Sequence, residues 1–198
     1  MGRKPNPQRR ARLLTEAAAY LERNGLAGLS LRPLAAALGV SPRTLLYHFG
    51  SKDRLLAEAL SASPALQEAV REFTASDLPL FDRVRHLWER TTEPGSRPYL
   101  RLFFEVYVAA LREPRRYASF LDTVVDSWLR LLTPMLEAEG LSEPDATRTA
   151  TELLALHHGC TLDFLATGDR GRVDVAYLSR LAELEGWIEG PAARRETR

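Results

Sequence analysis

The chain has 198 residues, enough for one or two domains that each bury a core. Hydrophobic residues make up 45% and charged residues 27%, which is ordinary for a globular protein and excludes a mainly disordered chain. No uncharged run exceeds ten residues, whereas a membrane-spanning helix needs about 20 apolar residues. The single cysteine, Cys160, excludes an internal disulfide and predicts a reducing compartment, which we expect to be the cytoplasm.

Charge is distributed unevenly, although the 27 basic and 26 acidic side chains nearly cancel. Residues 1–60 hold ten basic and four acidic side chains, and the first twelve residues hold five basic ones and no acid. This pattern indicates a polyanionic partner for the amino-terminal end, while a solubilising tail explains the charge alone equally well.

Apolar residues at helical spacing dominate the sequence, and alternating polar and apolar runs are almost absent, which predicts an all-α protein in two parts. The first part spans residues 8–63. Its Gly, Ser and Pro residues divide it into predicted helices near 8–24, 30–38, 42–49 and 52–63.

The second part spans residues 64–190 and contains longer predicted helices. Breaker residues place them near 65–75, 79–92, 98–112, 115–139, 143–167 and 173–189. Pro134 is expected to kink or end the fourth of these helices. Residues 191–198 are predicted to be a frayed tail.

Two short helices joined by a tight turn, residues 30–49, have the pattern of a helix-turn-helix. Ala35 permits close approach of the two helices, and Gly39 permits the positive φ of the turn. The predicted small core is Leu34, Leu38, Val40 and Leu45. The second helix is expected to present groove-reading and phosphate-binding side chains outward, namely Pro42, Arg43, Thr44, Tyr47 and His48. An ordinary helical hairpin with solvated charges is the alternative.

The block from Gly25 to Leu56 resembles the DNA-binding domain of the TetR family of transcriptional regulators. The shared features are the Gly that closes the first helix, a Leu-Ala-x-x-Leu-Gly-Val-Ser stretch at 34–41, a Thr-Leu pair at 44–45, His-Phe at 48–49 and Ser-Lys at 51–52. One position departs from the family pattern, because Leu46 stands where the family has Tyr and Tyr47 follows it.

The resemblance implies a DNA contact for each matching position. Arg32 and Arg43 become candidates for base edges, and Thr44, Tyr47 and His48 become candidates for phosphate or base contact. Lys52 becomes a phosphate clamp at the start of the next helix, while Pro42 faces the groove.

The resemblance also implies that the second domain binds a small-molecule effector and forms a homodimer, so that the protein acts as a ligand-responsive repressor on a near-palindromic, double-stranded operator. The helices near 143–167 and 173–189 are the expected four-helix interface, unless their apolar positions complete the monomer core. Those positions are Ala150, Leu153, Leu154, His157, Thr161, Phe164, Ala176, Leu178, Leu181 and Leu184.

Aromatic residues of the middle helices suggest an apolar ligand pocket, with ordinary core packing as the alternative. The predicted lining residues are Trp88, Phe103, Tyr107, Trp128, His157 and Phe164.

Other functional classes find little support. His157, Cys160 and Asp163 share a helix face and are zinc-ligand types, but no second His and Cys set accompanies them, so we expect no metal and no cofactor. Motifs for phosphate-binding loops, nucleophile elbows and zinc proteases are absent from the sequence, so an enzyme is not expected. A helical binding or scaffold protein whose basic end touches RNA or a membrane is the alternative.

Overall fold

The computed structural model describes residues 6–25 and 30–190, and this part of the chain forms helices and turns but no strand. The helices are α1 (Pro7–Asn24), α2 (Leu31–Ala37), α3 (Pro42–Phe49), α4 (Lys52–Ser61), α5 (Pro64–Ala75), α6 (Leu80–Thr92), α7 (Arg97–Arg112), α8 (Ala118–Leu121), α9 (Ser127–Ala138), α10 (Glu143–Thr167) and α11 (Arg170–Glu189). A 3₁₀ turn occupies Pro94–Ser96 and a π-helical turn Asp122–Asp126. The all-α prediction is confirmed.

Arg3 and Lys4 of the basic segment, and the predicted tail at 191–198, lie outside the described residues. None of the described helices combines the length and the apolar character that crossing a membrane requires.

The predicted helix over 115–139 is divided by the π-helical turn, and α9 continues past Pro134 to Ala138, so Pro134 does not end it.

The chain folds into two compact units. Of the described residues, the first unit contains 6–25, 30–70 and 95–121, and the second contains 71–94 and 122–190. In the first unit α1 packs on α2, α4 and α7, while in the second α10 packs on α6, α9 and α11. The domain boundary at residue 63, read along the sequence, stays a prediction.

Side-chain caps start α1, α3 and α4 of the first unit, whereas Ser30, the predicted cap of α2, makes no side-chain hydrogen bond to that helix. The Asn6 carboxamide oxygen accepts hydrogen bonds from the N–H groups of Gln8 and Arg9, at 3.0 and 3.3 Å. The Ser41 hydroxyl caps α3 by accepting a hydrogen bond from the Thr44 N–H, and the Ser51 hydroxyl caps α4 by accepting one from the Arg54 N–H, each at 3.1 Å. These caps satisfy N–H groups that have no partner inside the helix, which confirms the predicted starts of α3 and α4.

The helix-turn-helix core is apolar, and Gly39 closes the turn between its helices. Gly39 has a φ of +64°, and the Val40 N–H reaches back to the Ala35 carbonyl at 2.9 Å, as in a Schellman motif. Leu38 and Val40 pack, partly buried, against a cluster shared by α1 to α4. That cluster comprises Leu13, Ala17, Leu34, Ala35, Leu45, Phe49 and Leu55.

The core of the second unit surrounds α10. Leu153 and Phe164 of α10 pack with Trp88 of α6 and Leu136 of α9. Of the α11 positions considered for a dimer interface or for the monomer core, Ala176 and Leu178 are exposed, whereas Leu181 and Leu184 are buried. The buried residues of α11 are Val173, Tyr177, Leu181, Leu184 and Ile188.

We predict that Gly39→Ala lowers the free energy of unfolding by about 1 kcal/mol, because a Cβ disfavours the left-handed backbone that the turn needs. Added volume plays no part, since nothing lies within 4 Å of the Cβ position. Urea titration followed by circular dichroism measures the change. Gly95→Ala is the control, because Gly95 also has open space but no positive φ. Equal effects of the two substitutions would contradict the assignment.

Candidate nucleic-acid interface

The recognition helix α3 has one buried and one exposed side. Leu45 and Phe49 are each 1% exposed and hold α3 against the core. Arg43 and Tyr47 lie on the exposed side, with 52% of Tyr47 accessible. The expected outward orientation of these two residues is confirmed. Leu46, the position that departs from the family pattern, is 42% exposed and adds an apolar group to this side.

The other predicted contacts flank this surface. Arg32 of α2 is exposed, and Pro42 and Thr44 are half-buried in the first turn of α3. The Thr44 hydroxyl lies 2.9 Å from the Ser41 hydroxyl. Lys52 is half-buried at the first position of α4, where backbone N–H groups and the helix dipole favour an anion.

His48 differs from the prediction, because it faces inward and is only 9% exposed. It lies three residues after the buried Leu45, so helical periodicity carries it towards the core. Its Nδ1 has no hydrogen-bond partner among the described residues. Burial and the neighbouring Arg9 and Arg10 cations lower the pKa of His48. A neutral, buried imidazole is a poor phosphate ligand, so the expectation that His48 points outward is wrong.

Arg10 of α1 joins three helices, and the sequence reading did not identify this role. Its Nε donates to the His48 carbonyl at the end of α3, at 3.1 Å. Its guanidinium pairs with Glu58 of α4 and lies 4.9 Å from the centre of the Phe49 ring. Arg54 also pairs with Glu58, at 2.9 Å.

Asp53, beside Lys52, anchors the start of α4. This carboxylate is 6% exposed and accepts hydrogen bonds from Arg116 Nε at 2.5 Å and the Tyr117 hydroxyl at 3.2 Å. The Asp53 and Glu113 carboxylates raise the pKa of Arg116. A buried carboxylate needs such partners, because an unpaired charge away from water is costly. The first turn of α4 is therefore fixed to the segment that follows α7.

The residues predicted to line a ligand pocket fall into both units. Phe103 and Tyr107 belong to the first unit and pack around Phe120, with ring centres 5.6 and 5.9 Å from it. The second unit contains the remaining four, namely Trp88, Trp128, His157 and Phe164. Trp128 lies edge-on to Phe73, and Phe164 is 2% exposed.

Trp88 and His157 form a polar aromatic cluster with Tyr177. The Trp88 ring stacks on the Tyr177 ring with centres 4.2 Å apart, and its indole N–H donates to Asp174 at 2.8 Å. His157 Nε2 lies 3.2 Å from the Thr91 hydroxyl, and Nδ1 lies 3.1 Å from the Tyr177 hydroxyl.

These contacts favour a neutral His157. Thr91 donates its only hydroxyl proton to the Leu87 carbonyl at 2.8 Å, so Nε2 must be the donor to Thr91. Nδ1 then accepts from Tyr177. Burial lowers the pKa of His157 to about 3 and, at the next residue, the pKa of His158 to about 4.

The same contacts bear on the zinc-ligand types noted in the sequence. Both nitrogens of His157 bond hydroxyl groups, and the Asp163 carboxylate accepts two hydrogen bonds from Arg172, at 2.9 and 2.7 Å. Over 6–25 and 30–190, no three His, Cys, Asp or Glu side chains form a group suited to a metal ion.

Known proteins are similar both to the helix-turn-helix region and to most of the chain. Residues 13–59 match the model of the bacterial regulatory proteins, tetR family. A TetR family member from Streptomyces coelicolor A3 is 27% identical, with a TM-score of 0.65, and the match covers 90% of this chain and 98% of that one. A search of curated proteins gives no match.

Two further solved structures contain ligands. The multidrug binding protein EbrR, complexed with imidazole, is 28% identical with a TM-score of 0.68 and 93% coverage of each chain. A protein from Saccharomonospora viridis in complex with choline is 27% identical, with a TM-score of 0.64, and the match covers 94% of this chain and 98% of that one.

The chain is similar to the tetR family of bacterial regulatory proteins, whose model its residues 13–59 match, and it has the family's fold, an amino-terminal helix-turn-helix followed by a helical domain. Members of this family are DNA-binding regulators of transcription rather than enzymes, and the similarity favours this class of protein over the scaffold alternative.

The neutral histidines predict that stability falls as the pH drops. Because their folded-state pKa lies below the ordinary 6.5, only the unfolded chain takes up these protons between pH 6.5 and about 4. Stability is thus complete above pH 6.5 and falls by about 1.4 kcal/mol per pH unit for each such histidine below it. His157→Gln should remove about 1 kcal/mol of the decrease between pH 7.5 and 5.5 in urea titrations.

His86→Gln is the control, because His86 is an exposed histidine of α6. It should keep the wild-type pH dependence. An equally steep decrease in His157→Gln and the wild type would show that His157 is not held neutral.

Proposed function

We propose that the protein is a homodimeric, ligand-responsive repressor that binds a near-palindromic operator through α3. The observation that carries this proposal is the exposed side of α3, where Arg43, Leu46 and Tyr47 project from a helix whose other side is buried. A regulator of this kind acts on the chromosome, so we propose a cytoplasmic location.

Each exposed group suits one type of DNA contact. The Arg43 guanidinium can pair with the two acceptors of a guanine edge in the major groove, and Leu46 suits a thymine methyl group. Tyr47 can reach a phosphate in place of the family Tyr that is missing at Leu46. Arg32 and Lys52 flank α3, and Lys52 combines its charge with the N–H groups at the start of α4.

Arg43→Ala should cost about 1–3 kcal/mol of discrimination at one position of each half-site, because a bidentate base contact is lost. Lys52→Ala should weaken binding to all duplexes alike and reduce the salt slope by about one unit, because a phosphate contact is lost. Fluorescence anisotropy with operator and single-substitution duplexes, at several salt concentrations, measures both effects.

Arg130→Ala, at an exposed arginine of α9, is the control for removal of one positive charge. Arg43→Ala with wild-type sequence preference would show that α3 does not read the bases there.

Dimerisation is proposed through an uncharged stripe on α10 and α11. Leu162 is 50% exposed, Val175 67% and Leu178 42%, which is unusual for large apolar side chains. They lie in two rows at helical spacing that contain no charged residue: Thr151, Ala155, Gly159, Leu162 and Ala166 on α10, and Gly171, Val175, Leu178, Ala182 and Gly186 on α11.

The opposite sides of these helices complete the monomer core. Leu153, Phe164 and Leu181, which the sequence reading considered for the interface, lie in that core. Small side chains in the two exposed rows permit close helix packing against a second copy. A two-fold dimer would pair two α3 helices with two half-sites.

Val175→Glu should convert the dimer to a monomer, because it places a charge in the proposed interface. Sedimentation equilibrium should show the halved mass, and operator affinity should fall because the two half-sites are no longer bound together. Leu111→Glu, at a residue of α7 that is 73% exposed, makes the same chemical change outside the two rows and should remain dimeric. A dimeric Val175→Glu protein would exclude this interface.

A small-molecule effector is the remaining part of the proposal. The structures of EbrR and the Saccharomonospora viridis protein contain imidazole and choline, which supports a small-molecule ligand for this chain, and we propose that it binds among the helices of the second domain. Of the residues expected to line this site, Trp88, Trp128, His157 and Phe164 belong to the second unit, and we restrict the proposed lining to these four. Effector binding would shift α4, whose start is tied by Asp53 to Arg116 and Tyr117, and so change the separation of the two recognition helices.

A further inference from the structure

We propose that Arg10 is a positioning residue for α3, which sets operator discrimination by holding the recognition helix rather than by touching DNA. The inference rests on the proposed reading of DNA by α3. It separates Arg10 from the other basic residues at the amino-terminal end, for which charge alone suggests phosphate contacts.

The contacts of Arg10 are directed into the protein. Its Nε donates to the His48 carbonyl at 3.1 Å, its guanidinium pairs with Glu58, and its Cζ lies 4.9 Å from the centre of the Phe49 ring. The three partners belong to the last turn of α3 and to α4. The Arg10 side chain is 31% exposed and that of Glu58 is 23% exposed, so the ion pair is partly withdrawn from water.

These contacts stabilise α3 because they lie at its carboxyl-terminal end. The last carbonyls of a helix have no partner inside it, and a cation there also opposes the negative end of the helix dipole. Arg10 supplies both a donor to His48 and a positive charge. Glu58 holds the guanidinium from the side of α4, so α1 and α4 together fix the end of α3.

Because α3 is short, the Arg10 contacts have a large effect on its orientation. The helix has eight residues, so few contacts determine its tilt. Base contacts depend on that tilt, whereas binding to phosphates tolerates a displaced helix much better. Loss of the Arg10 contacts should therefore reduce discrimination between operator and unrelated duplexes, with little change in non-specific binding.

Arginine is specifically required, because its planar guanidinium makes the carbonyl, carboxylate and ring contacts at once. A lysine keeps the charge but offers a single ammonium group that cannot reproduce them. This difference separates a positioning role from a phosphate contact, for which a lysine is an adequate substitute.

The test compares Arg10→Lys, Arg10→Ala and Glu58→Gln in the full-length protein. For each variant, anisotropy titrations give the ratio of the dissociation constants for non-specific and operator duplexes, and their dependence on salt. We expect the ratio to fall about tenfold in all three, as for a lost charge-assisted hydrogen bond, with the wild-type salt slope. Arg9→Ala removes the same charge from the neighbouring position and should keep the wild-type ratio.

Two results would overturn the proposal. One is a wild-type ratio in Arg10→Lys, and the other is a salt slope reduced by about 0.9 in Arg10→Ala, which would indicate a phosphate contact. Stoichiometric titration at high DNA concentration measures the active fraction and separates poor folding from poor discrimination. If the Arg10 variants do not fold, Glu58→Gln, which keeps every arginine, decides by the same ratio. Failure of the wild type to prefer any sequence would instead refute the proposed function.

Discussion

The buried side of α3 is the constraint on which the rest of the structure depends. An isolated helix of eight residues is unstable in water, so α3 exists only because Leu45 and Phe49 pack into the cluster formed with α1, α2 and α4. The same packing leaves one direction for Arg43 and Tyr47, which is outward. Burial of one side and function of the other are thus two consequences of a single arrangement.

Local features of the sequence predicted most of this domain. Ser41 and Ser51 act as caps, and Gly39 has the positive φ expected of it, because capping and turn geometry depend on neighbouring residues. Periodicity also placed Leu34 and Leu45 in the core. The misjudged position was His48, where a polar side chain was taken to be exposed although it lies on the side of Leu45.

Contacts between distant residues could not be predicted in this way. Arg10 meets His48 and Glu58 across 38 and 48 residues, and Asp53 meets Arg116 across 63. A basic or acidic residue gives no sign in the sequence of which distant group it will meet. For the same reason the sequence leaves open which of Leu178 and Leu181 faces the monomer core, since several stripes of α11 contain apolar side chains and only the packing selects one.

Selection of duplexes from a random pool by the full-length wild-type protein tests the central claim most directly. The account predicts enrichment of an inverted repeat whose half-site centres lie one helical turn apart, about 34 Å, or a multiple of it. Recovery of unrelated sequences, with no motif after repeated rounds at moderate salt, would contradict the claim that α3 reads a duplex.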